Sequence, residues 1–190
     1  MSKKVLLVID TQKDFIDGSL GSADAVAVVP KIIERIKNVD YNLILFTRDT
    51  HFENYLETAE GKKLPVKHCI SDTPGWEIYP EILDAAEEVL SEHGDVVRGD
   101  VIDKPTFGSR EVADYLCNYA LDNVPEDENL EIEVLGFCTD ICVISNVLIL
   151  KAALYETANI SVNSTCCAGV TPELHKAALD VMKSCQIDII

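Results

Sequence analysis

The sequence predicts an α/β fold of three layers, with a six-stranded, mostly parallel sheet between two sets of helices. Three observations predict it. Short apolar runs alternate with amphipathic segments about six times along the chain, the pattern of strands joined by crossover helices. The apolar runs are bounded by turn residues, as buried strands are. The chain has 190 residues, 47% hydrophobic and 26% charged, an ordinary globular composition. That length is most economically one domain over 1–190, with enough apolar surface for a core that needs no disulfide.

The elements follow in order. VLLVID (5–10) reads as a buried first strand. VVPKIIERIKNV (28–39) has helical spacing, with Pro30 expected in the first turn, where a missing N–H costs nothing. NLILFTRD (42–49) is a second strand. Residues 50–76 are polar, aperiodic and punctuated by glycine and proline. A loop of that length inside a compact domain is usually functional. Residues 77–92 return to a helical pattern, and VVRGDVID (96–103) is a strand running into a loop. Ser109 is placed to cap a helix over 109–121. EDEN (126–129) is a solvated turn, and LEIEVLGF (130–137) is a strand. Residues 140–156 are helical and apolar nearly all round, which predicts burial. NISVNST (159–165) is a strand. Thr171 and Pro172 open a helix over 171–185, and IDII (187–190) is the last strand.

Charge and cysteine content limit the function classes. With 16 basic and 33 acidic residues the formal charge is 16 − 33 = −17, which repels phosphate backbones and argues against nucleic acid as a partner. No stretch is apolar for long enough to span a bilayer. The apolar run after Lys3 and Lys4 stops at Asp10 rather than continuing to a small-residue cleavage site, so a cytoplasmic protein without membrane attachment is expected. Seven cysteines cannot all pair within one chain, and most are expected to pack as small buried hydrophobes. Neither a dinucleotide-binding glycine motif nor a phosphate-binding loop is present.

In open parallel sheets, ligands sit beyond the carboxyl ends of the strands. Asp10 ends the first strand; Asp49, followed by His51, ends the second; Lys104 follows the third. Gly136, Phe137 and Cys138 end the fourth, and the next helix opens with Asp140 and Cys142. Each has an ordinary explanation alone: strand-end acids form turns, and lysines are usually solvated. Their convergence on one sheet edge is the signal. Cys142 falls in a first helical turn, where the helix dipole and free N–H groups would lower a thiol pKa and stabilise an oxyanion. From spacing alone, Cys142 as one more buried cysteine stays open. The Cys138–Cys142 spacing does not set the pair on one helical face, and no CxxC pair suggests a zinc site.

Laid out in this order, the motifs resemble those of the isochorismatase-like cysteine hydrolases, and among them the nicotinamidase-type amidases. They are VLLVIDTQKDF (5–15), TRDTHF (47–52), PVKHCISDTPGWEI (65–78), DKPTFGS (103–109), GFCTDICV (136–143) and TCCAGVTPELHKAAL (165–179), covering nearly the whole chain. The resemblance implies the isochorismatase-like (Rossmann-like) hydrolase fold. It implies a catalytic triad of Asp10, Lys104 and Cys142, with Cys142 attacking a small carboxamide through a thioester. It implies a cis peptide between Phe137 and Cys138, with the N–H groups of Cys138 and Cys142 forming an oxyanion hole. Asp49, His51 and His68 would hold a divalent metal, zinc, iron or manganese. No histidine lies between His51 and His68 to serve as a further ligand; Glu60 stands in the region, with Glu57 and Asn54 as rivals. Phe15 and Phe137 would touch the substrate. Nicotinamide, converted to nicotinate and ammonia, is the first substrate expected. Maleamate, a carbamoyl-amine or a ureido compound on the same chemistry, or a metal-free isochorismatase-type hydrolase, are the alternatives. Family members are commonly homo-oligomers. Trp76 is read as core, and His93 and His175 as solvated.

Overall fold

A computed structural model describes residues 2–38, 40–92 and 97–190. Six strands form one sheet: β1 (Lys4–Ile9), β2 (Leu43–Asp49), β3 (Val97–Lys104), β4 (Leu130–Phe137), β5 (Ala158–Ala168) and β6 (Asp188–Ile189). Their order across the sheet is β3-β2-β1-β4-β5-β6, and every pairing is parallel. The chain winds from β1 outward to β3, crosses back to β4, and winds outward again. The switch point, where a crevice opens at the strand ends, therefore lies between β1 and β4.

Helices cover both faces. A short α1 (Lys13–Ile16) follows β1; α2 (Ala23–Lys37) and α3 (Pro80–Glu92) pack together on one face. The other face carries α4 (Arg110–Asn123), α5 (Ile144–Leu154) and α6 (Pro172–Ser184). This split follows from right-handed crossovers that reverse direction once. Doubly covered strands must be apolar throughout: Val5, Leu6, Leu7, Val8 and Ile9 are all fully buried. Glu133 of β4 is the charge sunk beneath α2. It is matched by both arms of Arg35 at 2.6 and 2.7 Å, Tyr41 Oη at 3.0 Å and Asn163 Nδ2 at 2.9 Å. Among the described residues no helix is long and apolar enough to cross a membrane.

Several sequence expectations need correcting. Pro30 lies in the middle of α2, not its first turn, because Ser22 caps the helix earlier by accepting from Ala25 N–H. The segment 140–156 opens as a π-helical turn over Thr139–Val143 before α5 begins. It is not buried all round: Leu148 is 36% exposed. The 50–76 loop contains a 3-10 turn at Tyr55–Glu57. The caps expected at Ser109 and Thr171 are present, accepting from Val112 and Leu174 N–H. His93 lies outside the described residues.

Gly136, next to the switch point, has φ of 125°, and a Cβ there would meet Ile9 O at 2.0 Å. β1 and β4 approach this closely only because position 136 has no side chain. Gly136→Ala is expected to lower unfolding free energy by about 1–3 kcal/mol or more. Urea denaturation checks this; an unchanged midpoint would show that the two strand ends can part freely.

Candidate active site

β1 stops because Asp10 turns out of it with φ of 47°, a left-handed conformation uncommon outside glycine. Thr47 of β2 holds that turn from both sides: its Oγ1 accepts from Asp10 N–H at 3.2 Å and donates to Asp10 Oδ1 at 2.7 Å. Lys104, the last residue of β3, reaches across β2 to the same point. Its Nζ lies 2.5 Å from Asp10 Oδ2, 3.7 Å from Asp49 Oδ1 and 3.6 Å from Cys142 Sγ. The lysine is 1% exposed and Asp10 is fully buried. A buried ammonium persists only when matched by anions and acceptors. Burial pulls its pKa down, but the charges of Asp10 and Asp49 and the hydrogen bond to Asp10 raise it overall, so it stays protonated.

The thiol departs from expectation. Burial, and then the charge of Asp10, push Cys142 well above the ordinary thiol range despite its helix-turn position. Burial likewise raises Asp10, opposed by the Lys104 charge. Removing a proton from sulfur to solvent would add a second buried anion beside Asp10. Passing it to Asp10 leaves the cluster charge unchanged. Carboxylate, ammonium and thiol are thus arranged for proton exchange within the cluster, not for a standing thiolate.

The Phe137–Cys138 peptide is cis. Cys138 O accepts from the N–H groups of Ile141 and Val143, each at 3.1 Å. Cys138 is half-buried, and its own thiol is pushed up to about 12, burial being the main cause. All seven cysteines are free; Cys69, Cys142, Cys166 and Cys167 are buried, Cys117 and Cys138 half-buried, and Cys185 exposed.

A second cluster adjoins the first. The 50–76 loop doubles back so that His51 pairs with Ile70 in a short bridge, placing His51 and His68 side by side. Single ligand atoms of Asp49, His51, Glu60 and His68 all lie within 4.8 Å of one another. His51 Nε2 is 3.0 Å from Asp49 Oδ2, and His68 Nε2 is 3.4 Å from it. His68 Nδ1 is oriented by Val66 O at 2.8 Å, which turns Nε2 inward. His51 Nε2 and Asp49 Oδ1 are buried without a hydrogen-bond partner. Such atoms are costly unless something else ligates them. Two imidazoles and two carboxylates suit a divalent transition metal. Burial would raise Asp49, but the facing imidazoles of His51 and His68 and the Lys104 charge hold it below the usual carboxylate range. Glu60, rather than Glu57, joins the other three in the cluster; Tyr55 Oη lies 3.4 Å from its Oε1.

Both clusters open on one cavity of about 370 Å³. Phe15 and Phe137 line it, with Leu64, Phe107, Ile141 and Val170 among its apolar wall. Phe15 also meets the His68 ring edge-on at 5.7 Å. Among the described residues no lysine or arginine side chain lines it. Trp76 packs partly buried against the core and donates to Thr50 Oγ1 at 2.8 Å. His175 is only partly solvated: it is half-buried, with Nδ1 2.8 Å from Thr139 Oγ1.

Sequence reasoning missed three polar residues that align the strand ends. Gln12 is fully buried; its side chain accepts from Asp49 N–H at 2.7 Å and donates to Asp49 O and Trp76 O, each at 2.8 Å. Asn146 accepts from Ser109 N–H at 3.0 Å and donates to Phe107 O at 3.0 Å and Cys142 O at 2.8 Å. It joins the loop after Lys104 to the turn bearing Cys142. The third is Thr47. An asparagine set into the largely apolar α5 is a visible signal; Gln12 and Thr47 give none.

The chain matches the family model described as the isochorismatase domain over residues 4–190. It is 23% identical to the nicotinamidase/pyrazinamidase of Mycobacterium tuberculosis over 199 residues, covering 98% of each chain. Among solved structures it resembles the pyrazinamidase/nicotinamidase of Streptococcus mutans, with TM-score 0.76, 26% identity, and 99% and 100% of the two chains covered. It also resembles the pyrazinamidase of Pyrococcus horikoshii in complex with zinc, with TM-score 0.71, 26% identity, and 99% and 98% covered.

The four-residue cluster is expected to bind about one equivalent of divalent metal per chain, measured by elemental analysis of protein purified without chelator. His51→Ala or His68→Ala should abolish that binding. At a free metal concentration a hundred times Kd, the metal should add about 2.7 kcal/mol of stability, seen as a lower melting temperature after chelation. A chelator-insensitive melting curve would count against the site.

Proposed function

The chain belongs to the isochorismatase family, and from that premise we propose that it is a cysteine amidohydrolase that cleaves nicotinamide to nicotinate and ammonia. The observation that carries this reading is the meeting of Asp10, Lys104 and Cys142 from three strand ends beside one apolar cavity. Asp10 takes the Cys142 proton as sulfur attacks the carboxamide carbon, so the buried charge is conserved. Lys104 stays cationic throughout, holding Asp10 in place and facing the developing thiolate. The carbonyl oxygen takes up negative charge, which the N–H groups of Cys138 and Cys142 would receive. The C–N bond breaks as Asp10 returns its proton to nitrogen, and ammonia leaves a thioester on Cys142. Water then attacks the thioester carbon, giving one proton to Asp10; that proton passes to sulfur as the acid leaves. A divalent metal held by Asp49, His51, Glu60 and His68 would offer a Lewis-acid seat for a water or a substrate ring nitrogen.

The cavity's chemistry separates the substrates. Nicotinamide is neutral and aromatic, fitting a lining of Phe15, Phe137 and Ile141. Maleamate, and carbamoyl or ureido compounds that carry a carboxylate, would set that charge against apolar walls, with Lys104, already paired with Asp10, and the metal site as the cations in reach among the described residues. The doubly anionic isochorismate meets the same obstacle, and its chemistry has no use for the thiol. Zinc is favoured among the metals by the zinc complex of the P. horikoshii relative. The free cysteines fit a reducing, cytoplasmic compartment. Exposed apolar residues on α5 and α6, Leu148, Leu174 and Val181, support a homo-oligomer.

An ammonia-release assay over a panel of small amides tests the reading. Nicotinamide should be turned over and maleamate poorly. Cys142→Ala and Asp10→Asn should each lower kcat by at least about 10²–10⁴. Cys138→Ala should lose less than about tenfold, since only its backbone takes part. Full turnover by Cys142→Ala would refute the covalent route.

A further inference from the structure

The turn bearing Cys142 has no capping side chain of its own: Cys138 stands at its N-cap and makes no side-chain cap bond. Two links instead tie the turn to the start of α6. Thr139, fully buried, shares a 2.8 Å hydrogen bond between its Oγ1 and His175 Nδ1. Asp140 Oδ1 accepts from Val170 N–H at 2.9 Å. The fit between them is close, since a Cβ at Gly169 would lie 2.6 Å from Asp140 Oδ1 and 2.9 Å from His175 N. The His175 end of the link is itself fixed. Its N–H bonds Thr171 O at 2.9 Å, inside a first turn that Thr171 caps. On the other side of the same loop, Ala168, Gly169 and Val170 form a wall of the cavity.

We propose that His175 is a positioning residue: through Thr139 it locks the turn carrying Cys142 to the cavity wall, so that sulfur and bound substrate are held in register. The inference rests on the reading of Cys142 as nucleophile. Its geometry explains why an imidazole is tucked against a buried hydroxyl instead of facing solvent. Burial also lowers the pKa of His175, which keeps the ring neutral beside that hydroxyl, although Asp140 and Asp24 pull the other way. Misplacing a nucleophile by a fraction of an ångström, without touching it, is enough to cost about 10–100-fold in rate.

The test compares His175→Ala, His175→Asn, Thr139→Val and Thr139→Ser in the full chain with metal bound. His175→Ala and Thr139→Val should lower kcat on nicotinamide about 10–100-fold with KM within about twofold and metal content unchanged. The asparagine side chain can offer a hydrogen-bonding atom near the place of Nδ1, and serine keeps the hydroxyl, so both should recover most of the loss. The double variant His175→Ala with Thr139→Val should be no worse than either single one, because both break one link. The rate of Cys142 alkylation by iodoacetamide, read by peptide mass, should fall in parallel. That arm needs no amide substrate. If no amide is hydrolysed but alkylation still falls and is rescued by His175→Asn, the substrate reading fails and the positioning role stands. Wild-type kcat in His175→Ala, or a His175→Asn variant as impaired as His175→Ala, overturns the role. Should His175→Ala fail to fold, Thr139→Val against Thr139→Ser decides: equal activity of the two overturns it.

Discussion

The site is organised around one buried ammonium. Lys104 is almost wholly withdrawn from solvent, and its Nζ finds Asp10, Asp49 and Cys142 within 4 Å. An unpaired charge in that position would cost several kcal/mol. The neighbours are therefore obligatory, and each is delivered by a different strand end. The interaction constrains topology as much as chemistry. Asp49 and Lys104 are register partners across β2 and β3, and Asp10 follows the last residue of β1 on the other side of β2. A register slip of one residue in any of these strands would turn a side chain to the opposite face. The lysine would then be left without its anions.

The reversal of the winding direction supplies the fourth wall. Because β4 lies beside β1, the turn after Phe137 arrives over Asp10, and close approach of the two strands depends on Gly136. The polar staples missed from sequence all act across this opening. Thr47 and Gln12 couple β1 to β2, and Asn146 couples the Lys104 loop to the Cys142 turn. Each is buried, so each hydrogen bond matters more for what its loss would leave unsatisfied than for its own energy. His175 and Asp140 extend the same construction to α6. Asp10, Lys104 and Cys142 sit at or just beyond element ends, and amide or hydroxyl side chains fix those ends to one another.

Much of this was legible in the chain. Continuous apolar runs give doubly covered strands, and a strand-end rule then gathers Asp10, Asp49, His51, Lys104 and Cys142 with no coordinates. The segment at 130–137 coincides with β4 because both its flanks carry turn residues. What could not be read shares one physical cause: it depends on who lies opposite. Pro30 was assigned to a first turn because the cap at Ser22 lies upstream of any apolar periodicity. His175 looked solvated because its helix spacing is that of a surface face, while its hydroxyl partner is 36 residues away. The thiol shift was misjudged for the same reason. A helix-turn position is visible locally, whereas full burial next to a carboxylate is not, and at close range burial and the neighbouring charge win. Glu60 could be placed in the right loop but not chosen over Glu57 until the loop's path was known.

The two clusters are best understood as one electrostatic unit. Asp49 offers its two oxygens in different directions, Oδ2 toward the imidazoles of His51 and His68, and Oδ1 toward Lys104. Three carboxylate side chains, Asp10, Asp49 and Glu60, gather there around one ammonium, an excess of acidic over basic side chains before the imidazoles are counted. That excess is held mostly out of water, in surroundings where like charges repel far more strongly than in solvent. A divalent cation among Asp49, His51, Glu60 and His68 would offset that excess. Lys104 offsets part of it in any case: a neutral residue at that position would leave one more uncompensated negative charge beside Cys142 Sγ.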